Sequence, residues 1–145
     1  MHLDTLTYEY NLATTPDAAF DTFTARFGEW WHPSYTANAA TFTGATIEPF
    51  VGGRIFGTHD PEGEFVWGRV TAWEPGMLLR YESVLAQPAE APSEVTVQFH
   101  STGDGCRVLF EHGGWNAING AFREKFGDWP VMLARFVELA EAPAV

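Results

Sequence analysis

His112, Tyr81, three arginines inside strand-like segments and an excess of tryptophan are the residues through which this chain could act on another molecule. Side chains alternate along an extended segment, so in Arg107 to Gly113 the residues Val108, Phe110 and His112 share one face, and Leu109 and Glu111 the other. Glu111 and His112 therefore cannot form an acid–base dyad with each other. An inward His112 has its pKa lowered by desolvation and raised by any nearby carboxylate. It reads in two ways: a cavity group that exchanges a proton or hydrogen bond, with Tyr81 as the second acid–base candidate, or a satisfied residue tying the sheet to the start of the last helix. Trp30, Trp31, Trp67, Trp115 and Phe122 are candidates for the wall and mouth of a cavity, and Phe99 and Tyr81 join them as ligand-facing residues. The alternative is that they form the core. Six Trp and 12 Phe in 145 residues exceed what a core on glycine-containing strands needs, so a cavity or apolar groove is expected. Arg54, Arg69 or Arg80 can reach inward to anchor a ligand carboxylate, or lie outside as partners for Glu64 or Glu82.

Other chemistries lack their residues. The five histidines, His2, His32, His59, His100 and His112, show no HxH or HExxH spacing, so no metal site is expected. No G-x-S-x-G occurs, and Cys106 follows a tight turn with only Arg107 beside it, which suits a small strand residue better than a reactive thiol. Gly103-Asp104-Gly105 lacks the following helix and lysine of a phosphate loop. No cofactor is expected.

The elements that must position these residues follow from periodicity. Leu6, Tyr8, Tyr10 and Leu12 alternate within Thr5 to Leu12, as in a half-buried strand. Thr15-Pro16 offers an N-cap hydroxyl and a proline for the first helical position, with Ala19, Phe20 and Phe23 behind it. A second short helix, Arg26 to Trp31, is stopped by His32-Pro33. Six strands then follow: Thr41 to Glu48, Arg54 to His59, Glu64 to Trp73, Met77 to Leu85, Glu94 to Ser101 and Arg107 to Gly113, punctuated by Gly, Pro and Asp turns. The segment from Ala86 to Ser93 has no apolar period and reads as a mobile hairpin loop. Ile118, Phe122, Phe126, Trp129, Leu133, Phe136 and Ala140 line one face of a helix about 25 residues long. Gly127 and Pro130 predict a kink in it, or two consecutive helices with Asp128 as the second N-cap. An antiparallel sheet with one apolar face and a long amphipathic helix bury each other in an α+β domain spanning residues 1–145.

That order resembles the helix-grip fold of the SRPBCC or START-like superfamily, in which a curved seven-stranded antiparallel sheet wraps a long C-terminal helix, with two short helices after strand one. Within it, the chain resembles the activator of Hsp ATPase homologue family (Aha-type C-terminal domain). The matching residues are Phe27-Gly28-Glu29-Trp30-Trp31-His32-Pro33, Glu48-Pro49, Val51-Gly52-Gly53-Arg54, Trp67-Gly68-Arg69-Val70, Trp73-Glu74-Pro75, Ser93 to Phe99, Glu111 to Trp115 and Gly127-Asp128-Trp129. Cys106 stands where the family's turn leads to an expectation of threonine. The resemblance implies roles ranging from co-chaperone domains to small stand-alone bacterial proteins, and in the wider superfamily lipid, hormone or polyketide binding and cyclisation. Fold alone does not choose among them.

Charge narrows the partners. Eight Lys plus Arg against 19 Asp plus Glu leave a net −11, a field that repels phosphate backbones and anionic headgroups, so neither nucleic acid nor membrane is expected. A single cysteine and no signal-like or spanning apolar run point to the cytoplasm. The expected function is binding of an apolar or amphipathic small molecule between the sheet and the C-terminal helix, oriented by His112, Tyr81 and an inward arginine. The alternatives are a small cyclase- or hydratase-like enzyme using the same cavity, and a co-chaperone-like interaction module. Self-association as a homodimer would run through a sheet edge or the short helices.

Overall fold

The computed structural model describes residues 3–142. Seven strands form one antiparallel sheet in the order β1-β7-β6-β5-β4-β3-β2. They are β1 (Leu6–Leu12), β2 (Phe42–Ile47), β3 (Arg54–His59), β4 (Gly63–Glu74), β5 (Leu78–Ser83), β6 (Ser93–Thr102) and β7 (Gly105–Gly113). Alternation sorts their faces as the sequence predicts: Leu79, Tyr81 and Ser83 of β5, Val95, Val97 and Phe99 of β6, and Val108, Phe110 and His112 of β7 are buried. Trp67 departs from strict alternation. The β3–β4 register steps from Ile55↔Gly68 to Phe56↔Val66, so Trp67 is the extra residue of a bulge, and the bulge turns its ring inward with Gly68.

Two short helices cross the concave side: α1 (Pro16–Thr24), whose first turn is capped by Thr15 Oγ1 accepting from Ala18 N at 3.1 Å, and α2 (Phe27–Trp30). Helix α2 lies directly on edge strand β2. A Cβ on Gly28 would sit 2.8 Å from the Ala45 carbonyl oxygen, so only glycine allows that approach, which also covers the sheet edge. A 3₁₀ turn, Pro33–Tyr35, follows the His32-Pro33 stop and is absent from the sequence reading; His32 Nδ1 accepts from Ser34 N.

The expected 25-residue helix is two pieces, a 3₁₀ helix Gly120–Phe126 and α3 (Trp129–Glu141), so the consecutive-helix alternative holds. Asp128 occupies the N-cap position without capping; its carboxylate accepts from the Tyr35 hydroxyl instead. The segment from Ala86 to Ser93, read as mobile, is held at several points: buried Asn119 Nδ2 donates to the Ala91 and Gly114 carbonyls, and Gln87 Nε2 donates to Ala91 O.

Aromatic rings fill the space between the sheet and α3. Phe136 meets Phe23 at 5.1 Å and Trp30 at 5.8 Å, and Trp129 meets Phe110 at 4.6 Å. These are the core of the molecule, each of them worth about 3–5 kcal/mol against truncation to alanine. The aromatic excess is therefore absorbed largely by packing, and the expected internal cavity shrinks to an opening at one end.

Candidate functional site

That opening is a cleft of about 190 Å³ where three distant segments meet. Trp31, Ser34, Tyr35 and Thr36 form one wall, Leu85 and Ala86 a second, and Lys125, Phe126, Asp128, Trp129 and Met132 the third. The first and third walls are fastened together. Tyr35 O–H donates to Asp128 Oδ2 at 2.9 Å, His32 N donates to Met132 Sδ at 3.3 Å, and Arg135 Nε donates to Trp30 O at 2.8 Å. Trp31 lies 5.8 Å from Trp129 and 5.2 Å from Trp67, which backs it.

His112 lies behind the cleft, fully buried, with Trp115 and Phe126 against its ring at 4.5 and 4.7 Å. Trp129 Nε1–H donates to its Nδ1 at 3.0 Å. An indole only donates, so Nδ1 carries the lone pair and Nε2 the proton. The Nε2–H then donates to Ser93 Oγ at 2.7 Å, and the Ser93 hydroxyl donates to Gln87 Oε1 at 2.8 Å. Burial pushes the imidazole pKa down to about 3, so the ring is neutral at physiological pH. Both nitrogens are engaged. Through them one ring holds Trp129 on the third wall and, by way of Ser93, Gln87 beside Ala86 on the second. Ala86 itself has φ +53°, a left-handed conformation that costs an alanine roughly 1–2 kcal/mol.

The other residues singled out from the sequence scatter. Trp31 lines the cleft. Trp30 and Phe99 are buried elsewhere in the core, Phe99 against Phe20 at 5.3 Å. Tyr81 is buried on β5, and burial raises its hydroxyl pKa. Trp115 is buried and donates through Nε1 to His112 O. Phe122 lies outside the cleft with Lys125 Nζ 4.8 Å over its ring. The expected inward arginine is not found. Arg54 lies on the outer face with Phe56 and pairs with Glu48 and Glu64 at 3.1 Å; Arg69 is exposed and donates to Gly52 O; Arg80 lies 3.8 Å from Glu94. Arg69 and Trp67 border a second depression, of about 220 Å³, between β4 and the 84–92 segment. Cys106 is buried, and burial raises its thiol pKa. Among the described residues no group of three His, Cys, Asp or Glu side chains gathers as metal ligands would, and no helix is long and apolar enough to cross a membrane.

Tyr35, Phe126, Asp128, Trp129 and Met132 complete the cleft and were not marked as site residues. Phe126 and Trp129 read as one helix face and Asp128 as a cap. The break between the two helical pieces is what turns all three to the opening.

A curled seven-stranded antiparallel sheet closed by a C-terminal helix, with short helices after its first strand, defines a helix-grip protein. The family model described as Activator of Hsp90 ATPase homolog 1-like protein matches residues 13–141, and the chain belongs to that family. No curated protein matches it in sequence. Among solved structures it is similar to protein MLL2253 of Mesorhizobium loti, at 22% identity and a TM-score of 0.72 over 98% of this chain and 100% of that one. It is similar to the Aha1 protein of Colwellia psychrerythraea, described as a dimer, at 18% identity and 0.67 over 95% and 96%. It is also similar to Txn09, described as an anthrahydroquino-γ-pyrone synthase, at 26% identity and 0.62 over 93% and 96%.

Proposed function

We propose that the chain is a small-molecule binding protein whose site is the cleft between the 3₁₀ turn at Pro33–Tyr35, the 85–86 rim and the start of α3. The observation that carries this reading is the cleft's construction. An apolar opening walled by Trp31, Phe126, Trp129 and Met132, with a few polar groups at its mouth, is the composition of a ligand site. Burial of the ligand's apolar part supplies the affinity. The cytoplasm is the setting in this reading, and a homodimer is its form, on the strength of the Colwellia protein. Met132→Trp, which fills the cleft, provides the test. In a thermal-shift screen of one-ring compounds, a subset should raise Tm in the wild type and not in the folded variant. An equal rise in both, or none in either, overturns the proposal.

The synthase among the structural neighbours favours a second reading, proton transfer catalysed in the same cleft. His112 and Tyr81 suit it poorly: the histidine's lone pair is occupied by Trp129, and the tyrosine is buried with a raised pKa. Asp128 has the available oxygen. Turnover of a cyclisable substrate that survives Asp128→Asn would remove this reading.

A further inference from the structure

The hydrogen-bonding groups of the cleft are unevenly committed, and that imbalance selects a ligand. Apart from Lys125 and the exposed Ser34 hydroxyl, which accepts as readily as it donates, its donors are used within the protein. Trp31 Nε1–H donates to Tyr35 O at 3.2 Å, Trp129 Nε1–H to His112 Nδ1 at 3.0 Å, Tyr35 O–H to Asp128 Oδ2 at 2.9 Å and Thr36 O–H to Pro33 O at 2.7 Å. Lys125 also lines the cleft, and its ammonium is engaged 4.8 Å over the ring of Phe122, a residue that is not part of the lining. A ligand acceptor placed deep in the cleft would go unpaired, at full desolvation cost. The reverse holds for acceptors. Asp128 uses Oδ2 for Tyr35, while Oδ1 accepts from no side chain among the described residues. The Asp128 carboxylate stands at the mouth, next to Trp31, Tyr35, Phe126 and Trp129, whose ring faces attract cations. A chain charge of −11 adds a field that draws cations and repels anions.

Size completes the selection. A dry cavity of about 150 Å³ holds benzene. At about 190 Å³ this cleft admits one ring and one or two further carbons.

Resting on the binding reading above, we infer that the ligand class is a small arylalkylamine. Its ring lies against Trp31, Phe126, Trp129 and Met132, and its ammonium donates to Asp128 Oδ1 at the mouth. Isothermal titration at neutral pH with three probes of one shape tests this: 2-phenylethylamine, the neutral 2-phenylethanol and the anionic 3-phenylpropanoate. The amine should bind tightest and the carboxylate weakest. Asp128→Asn, at an exposed position that can still accept from Tyr35, should weaken the amine about tenfold and leave the alcohol within about threefold. Equal or tighter binding of the alcohol or the carboxylate, or an amine affinity unmoved by Asp128→Asn, overturns the amine assignment and leaves the cleft as a site for another class. Binding of none of the three to the folded protein overturns the cleft reading and the assignment with it.

Discussion

Two buried histidines on the concave side of the sheet answer the same physical problem in opposite ways. His112 on β7 has both ring nitrogens bonded, one to Trp129 and one to Ser93. His59 on β3, only 3% exposed, has one: Nδ1 lies 3.1 Å from Thr41 Oγ1, whose own proton goes to Glu62 Oε2 at 2.9 Å, so Nδ1–H donates to the threonine. Its Nε2 has no partner, and Phe42 and Phe65 stand edge-on to the ring. Burial is equal; satisfaction is not. A fully bonded buried polar group fixes the elements it joins, whereas a half-bonded one adds desolvation cost without a tie. The end of the molecule that needs two walls held apart around an opening is the end with the satisfied histidine.

The largest effect that tests this contrast is the difference between two substitutions. His112→Leu leaves the buried Trp129 indole N–H unpaired, takes from Ser93 Oγ the proton it accepts, and opens the space of the ring, and should cost about 3–4 kcal/mol in urea denaturation. His59→Leu removes the unbonded Nε2 along with the single Nδ1–Thr41 bond, and Thr41 keeps Glu62 as its partner, so its cost should stay within about 1 kcal/mol. Equal costs would break the comparison.

Acid should sharpen it next. The folded-state pKa of His112, about 3, lies below its ordinary 6.5, so the unfolded chain takes up a proton that the folded one refuses. This contribution to stability is whole above pH 6.5 and is lost as pH falls from 6.5 toward 3, at up to about 1.4 kcal/mol per pH unit. Between pH 6.5 and 5 the wild type should therefore lose about 2 kcal/mol more than His112→Leu does. Parallel stability curves for the two proteins would show that His112 is not the group responsible. A smaller loss, about 1–2 kcal/mol, is expected for Ser93→Ala, which strands the His112 Nε2–H and frees Gln87 while leaving the Trp129 bond in place.

How far this was readable in the sequence depended on the distance over which each feature is encoded. Alternation is local, so the inward direction of Val108, Phe110 and His112 followed from the strand itself, and Thr15-Pro16 marked a helix start because cap and proline act within one turn. Phe122 and Phe126 misled because four-residue spacing keeps two side chains on one face of an α-helix but not of a 3₁₀ helix with three residues per turn. Phe126 turned into the cleft and Phe122 out beneath Lys125. Trp30 ends a helix of four residues and Trp31 is its extended C-cap, and both are buried because the sheet and α3 enclose this segment from two sides. The cleft has no local signature at all. It exists where residues 31–36, 85–86 and 125–132 converge, and Tyr35–Asp128, its clearest polar contact, spans 93 positions of sequence.

The smallest effect concerns the rim that His112 supports. Ala86 holds φ +53° next to Gln87, whose side chain is bonded to Ser93 and to Ala91 O. Glycine removes the Cβ clash of that conformation, a gain of roughly 1–2 kcal/mol, but widens the unfolded ensemble, which takes back about half of it. Ala86→Gly should therefore stabilise the fold by about 0.5 kcal/mol while weakening binding of whatever occupies the cleft, because the rim must then be ordered when the ligand binds. Chemical denaturation and titration with the same one-ring probe measure the two effects separately. If Ala86→Gly binds as tightly as the wild type, the rim is positioned by the Gln87–Ser93–His112 chain alone and the left-handed alanine adds nothing to the site.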